Sequence, residues 1–185
     1  MLVKVIMNPY SLDIITEKVS LKSYDLRETN NINTLVKNYV LSKFESSVSP
    51  SGLYVIKVLD INKDQDSNNG LINDLTADIV YNIMFSAFVF NPVIGTTFDI
   101  RVTKCTEVGL WGIPIALDVV PSKSVSIECM SSPDLVGGRH YTSSSQSYVN
   151  EKGRSPIKVG SVVKFKVLNK QVEYRRMLIF GLVEN

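Results

Sequence analysis

The chain has 185 residues, 44% of them hydrophobic, and its 20 Lys+Arg against 18 Asp+Glu leave a net charge of +2, which fits one ordinary domain or two small ones with a real core. The charge is uneven: residues 1–90 carry 8 basic and 10 acidic side chains and residues 91–185 carry 12 and 8, so the second half is mildly basic yet far short of a dedicated nucleic-acid domain. Two cysteines, Cys105 and Cys129, exclude a disulfide framework; Lys4 interrupts the first apolar run, no Asn-x-Ser/Thr sequon occurs, and the longest apolar run, Ile79 to Phe90, is too short for a membrane span, so an intracellular chain with reduced thiols and no membrane role is expected.

Residues 1–28 alternate loosely, and Val19 and Leu21 against Lys18, Ser20 and Lys22 predict a half-buried strand. In "NNINTLVKNYVLSKFESS" the residues Ile32, Leu35, Val36, Tyr39, Val40 and Phe44 recur every three or four positions, the stripe of an amphipathic helix with Asn30 or Asn31 as its N-cap. Pro50 and Gly52 end it. "LYVIKVLDI" is the next strand, followed by the polar loop "NKDQDSNNG". There Asp64, Asp66 and Asn68 sit at calcium-loop spacing, but Asn69 stands where the motif needs glycine and Leu75 where it needs glutamate, so a solvated turn is expected. "TADIVYNIMFSAFVF" is a long strand apolar on both faces, and such a strand needs cover on both.

Asn91-Pro92 and Gly95 then mark a joint. Beyond it the pattern is all-β. Phe98, Ile100 and Val102 alternate with Thr97, Asp99, Arg101 and Thr103; Gly109 and Gly112 bracket Leu110-Trp111 as a bulge or tight bend; and "IALDVV", "VSIECM", "VVKFKVLN" and "RMLIFGLV" are further strands. Five strands with bends suit a small closed barrel of the oligonucleotide-binding type. The Ser/Gly-rich run over about residues 131–157 predicts a long mobile loop. The fold class expected is thus an α+β N-terminal domain, residues 1–90, with one main helix on an antiparallel sheet, followed by an all-β barrel, residues 91–185.

No catalytic or metal motif is present. His140 is the single histidine and lies in the Ser/Gly-rich run, and the two cysteines lack C-x-x-C spacing, so neither a catalytic residue nor a metal site is expected, and no cofactor. What remains is a basic and aromatic set on the barrel: Arg101 and Lys104 by its first strand, Trp111 at the bend, Lys164 and Lys166 on one face of a later strand, and Lys170, Arg175 and Arg176 after it. Cations that follow a backbone plus an aromatic on which a base stacks are what sequence-tolerant single-strand binding requires. The same residues also fit a solvated strand face with Trp111 filling the core.

Four segments in order carry a resemblance: "GLYVIKVLDI" after the helix, "IMFSAFVFNPVIGTTFDIRVTKCTEVGLW" at the joint, and the closing "VGSVVKFKVLN" and "IFGLVEN". From about Ile14 onward the chain resembles the stalk subunits of multisubunit DNA-directed RNA polymerases, the seventh-subunit family of eukaryotic polymerase II and its archaeal counterparts. The resemblance implies a non-catalytic transcription subunit. Its N-terminal domain, a truncated ribonucleoprotein-like fold, would dock on the polymerase core; its S1-like barrel would contact nascent single-stranded RNA; and a helical partner of the fourth-subunit type would pair with it. Tyr81, Phe85, Phe88, Phe90, Pro92 and Gly95 are then the expected partner and interdomain residues, and Arg101, Lys104, Trp111, Lys164, Lys166 and Arg175 the RNA-binding ones. Where the family carries a Pro, aromatic and Gly docking tip this chain has "DLRETNN", Asp25 to Asn31. The wealth of Asn, Ser, Ile and Lys suits an AT-rich genome, a large DNA virus among the sources that fit, with the nucleus expected for a cellular protein and cytoplasm or virion for a viral one. The rival expectations are a stand-alone barrel that binds single-stranded RNA or DNA, and a pure protein-interaction adaptor.

Overall fold

The structure is a computed structural model and describes residues 8–22, 24, 31–63, 70–117, 126–150 and 155–184. The calcium-like positions Asp64, Asp66, Asn68 and Asn69, and the docking-tip residues 25–30, lie outside the described residues. The chain divides into two compact units, one of residues 11–49 and 53–90, the other running from Asn91 to the C-terminal end with two short outlying segments, one ending at Tyr10 and one of Pro50–Gly52.

The first unit contains β1 (Tyr10–Leu21), α1 (Ile32–Phe44), β2 (Ser47–Val48), β3 (Tyr54–Lys63), β4 (Leu71–Ile72) and β5 (Ile79–Phe90). The Asn31 side chain caps α1 by accepting from the backbone N–H groups of Asn33 and Thr34, which relieves two of the donors a helix start leaves unpaired. The strands lie in the order β1-β5-β3-β2, with β4 on β5. Val36, Val40 and Phe44 of the helix share one apolar cluster with Ile15, Val19 and Leu21 of β1, Val55 and Val58 of β3, and Tyr81, Ile83, Phe85, Ala87 and Val89 of β5. The Phe44 and Phe85 rings meet at 5.2 Å between centroids.

This resolves the two faces of β5. Its odd-numbered side chains from Tyr81 to Val89 are buried in one cluster with the unit's own helix, whereas the even-numbered side is mixed: Asn82 and Phe88 are exposed, Phe88 at 36%, Met84 and Ser86 are half-buried, and Phe90 is wholly buried. Tyr81 and Phe85, expected to seek cover from a partner, are covered from within the unit; Phe88 lies on the other side of the strand.

The second unit contains β6 (Thr97–Thr106), β7 (Gly109–Pro114), β8 (Ile127–Ser131), the short hairpin β9 (His140–Thr142) and β10 (Ser147–Val149), β11 (Val162–Glu173) and β12 (Arg176–Glu184). Five strands close into a barrel in the order β11-β12-β8-β7-β6, every pair antiparallel except β8 with β12, which is parallel. The molecule is therefore mostly β with one α-helix among the described residues, and its barrel is compatible with an oligonucleotide-binding fold. Phe98, Ile100, Val102, Leu110, Ile127, Cys129, Phe165, Val167, Met177, Ile179 and Val183 form its buried interior positions.

Two sequence expectations need correction here. "IALDVV" does not supply the second barrel strand: β7 does, and the chain passes from Pro114, which has no N–H to donate, into a 3-10 turn at Ile115–Leu117. The run 131–157 is also more than a loop. It holds a 3-10 turn at Pro133–Leu135 and the β9–β10 hairpin, and Tyr148 is wholly buried, its hydroxyl donating to the Thr106 carbonyl at 2.7 Å and its backbone bridging Ile157. One aromatic anchor thus ties the segment to the end of β6.

Gly95 adopts φ +87° with nothing within 4 Å of where a Cβ would stand, so the turn into β6 needs its backbone freedom rather than its small size. Its N–H donates to the Val167 carbonyl at 2.8 Å, which sets the start of the barrel, and Pro92 just before it is buried.

Candidate nucleic-acid interface

The candidate surface is set by an irregularity in β6. Along a regular strand side chains alternate, and Phe98, Ile100 and Val102 all point into the barrel, so position 104 would follow them inward. The register against β7 shifts between Val102 and Lys104, a β-bulge that adds one residue. Thr103 and Lys104 are consequently both exposed, and Cys105 turns inward instead.

Lys104 is the register partner of Trp111, and its Nζ stands 5.1 Å from the indole centroid, within cation–π range. Trp111 does not fill the core. On β7, Gly109, Leu110, Gly112 and Pro114 are buried, while Trp111 and Ile113 are half-buried on the outer side. Gly112 is not the expected bulge either; a Cβ there would come within 2.8 Å of the Arg101 carbonyl, so its absence permits close approach of β7 to β6.

From Trp111 the outer face continues across the barrel in register: Trp111 opposite Met130 of β8, and Met130 opposite Phe180 of β12, all three half-buried. The result is a band of polarisable, mostly flat side chains with Lys104 at one end. Arg101 lies on the same outer face of β6, opposite Ile113.

The other expected cations are placed differently. Lys164 sits between two carboxylates, opposite Asp99 on one side and Glu184 on the other, so its charge is locally offset. Lys166 is half-buried between Thr97 and Leu182. Lys170 donates from Nζ to the Asn91 Oδ1 at 2.8 Å, and burial lowers its pKa, which ties it to the start of the barrel. Arg175 stands at the tip of the β11–β12 hairpin.

That tip contains a residue that the basic and aromatic set left out. Tyr174 is 100% exposed, and it and Arg175 take φ +47° and +81°, left-handed values that glycine or asparagine usually supplies in a two-residue hairpin turn. The signal was an aromatic in the two-residue connection of "VEYRR".

Among the described residues no group of three His, Cys, Asp or Glu side chains is placed to hold a metal ion. Cys105 and Cys129 are buried free thiols whose pKa values are raised by burial, and His140 is exposed. The arrangement offers stacking surface and cations.

No protein-family model and no curated protein sequence matches this chain. Among solved structures, the apo form of Mycoplasma genitalium RNase R is similar over 48% of this chain, at 12% sequence identity and a TM-score of 0.35; the chain spans 13% of that protein's length.

Proposed function

We propose that the chain is a non-catalytic, stalk-type subunit of a DNA-directed RNA polymerase, whose barrel contacts nascent single-stranded RNA and whose first unit docks on the core enzyme beside a helical partner. The observation that carries the RNA contact is the Lys104–Trp111 pair on the outer face of a five-stranded barrel. A cation and an aromatic plane side by side hold phosphate and base at once without reading sequence. The polymerase assignment rests on the order of the four resembling segments, with the first unit as a truncated ribonucleoprotein-like fold and the barrel as S1-like. The even-numbered side of β5, with Met84 and Phe88, and the exposed Leu12 and Ile14 of β1 supply apolar surface of the kind a protein partner covers.

The test is affinity purification of the tagged chain from cells expressing its native genome, with mass spectrometry of what accompanies it. The large catalytic polymerase subunits and a small helical protein are expected in fixed ratio. A chain that emerges alone, or with RNA of mixed sequence, overturns the stalk assignment in favour of a stand-alone single-strand binder.

A further inference from the structure

Beside the β11–β12 hairpin lies a cavity of about 620 Å³, lined by Ser126 and Glu128 at the start of β8, Leu178 of β12, and Glu173, Tyr174 and Arg176 of the hairpin. Its volume is in the roughly 300–1,000 Å³ range of small-molecule sites. Glu128 is the register partner of Leu178 and shares the outer face of β8 with Met130, which is opposite Trp111. Two residues of strand span about 7 Å, so the cavity adjoins the stacking band.

The chemistry of the cavity differs from that of a phosphate track. A surface that only follows a polyanion presents cations, and a carboxylate in its path repels the ligand. Here an arginine and an exposed tyrosine stand with two glutamates, groups that accept hydrogen bonds and cannot donate them when ionised. Glu173 accepts from the Gln171 side-chain amide, while Glu128, on the strand that carries Met130, is the carboxylate beside the stacking band. The donor that suits it on a base is an exocyclic amino group; uracil presents a carbonyl oxygen at the place where cytosine presents its amino group.

We propose that this cavity is a nucleobase pocket in which Tyr174 stacks on the base, Glu128 accepts from its amino group and Arg176 meets the adjoining phosphate, so that the barrel prefers cytosine to uracil. The inference rests on the RNA contact proposed above and adds a base preference to it. Cytosine and uracil have nearly the same shape, so the discrimination comes from one group, on the order of tenfold in affinity.

The experiment is fluorescence anisotropy of the full chain with labelled oligo(C) and oligo(U) of equal length, at slightly alkaline pH so that cytosine stays unprotonated. The expected result is tighter binding of oligo(C), and a loss of that preference in Glu128→Gln, whose amide can also donate to the uracil oxygen. Glu128 is exposed, and far-UV circular dichroism of the variant checks that it is folded. Equal affinity of the unaltered chain for both strands overturns the pocket and leaves the RNA contact standing; no binding of either strand overturns both. A preference that survives Glu128→Gln unchanged overturns the role given to Glu128.

Discussion

At Lys104 and Trp111 one side chain supplies charge and the other a plane, so their removal should be separable. Trp111→Ala is expected to weaken binding of single-stranded RNA about tenfold, the worth of one base–aromatic stack, while the slope of affinity against salt stays as it was. Lys104→Ala is expected to lower that slope by about 1, because one fewer phosphate is neutralised. Titrating salt with both variants checks the division; identical behaviour of the two would show that neither contacts RNA in its assigned way. Tyr148 makes a prediction of a different kind. Burial, with Cys105 and Tyr141 adding smaller like-signed effects, pushes its phenol up to about 12 from an ordinary 10.0. The folded state then holds its proton where the unfolded chain has lost it, so the stabilisation is complete below pH 10 and is lost as pH rises toward 12. Denaturant midpoints measured across that window are expected to fall in the native chain and to fall less in Tyr148→Phe. The Tyr148 anchor was not legible in sequence, where one aromatic in a Ser-rich run looks like any exposed loop residue.

Among the elements, those with a clean period were readable and those with an irregularity were not. The α1 helix announced itself through Asn31 and the spacing of Val36, Val40 and Phe44, and all four do what that spacing implies. In β5 the even side carries Met84, Phe88 and Phe90 beside an equally apolar odd side, so composition alone could not say which side the helix covers. In β6 the extra residue at the bulge leaves no trace in residue type, yet it decides which side of the barrel wall each later residue occupies. Deleting Thr103 should remove the extra residue and restore strict alternation, with Lys104 following Val102 directly on the outer side and Cys105 still inward. Thiol labelling of the folded protein checks this: Cys105, buried in the native chain, is expected to stay slow to react in the deletion variant, with RNA affinity retained because Lys104 keeps its outward place. A rapidly reactive Cys105 in a folded deletion variant would mean that the strand does not close up at the bulge.

For the whole molecule, the parallel neighbours β8 and β12 lie far apart along the chain, and β12 also pairs with β11, so two of the five barrel seams depend on the same late strand. The first unit has no such dependence: its helix and strands all lie between Tyr10 and Phe90. During synthesis from N- to C-terminus, the helix-bearing unit can therefore take its shape while the ribosome is still making the rest, whereas the barrel must wait until Glu184 has cleared the exit tunnel. Until then Cys129 and its apolar neighbours on β8 lack the strand that shields them. The surface proposed to receive an emerging RNA is thus itself finished only when its last barrel strand has emerged.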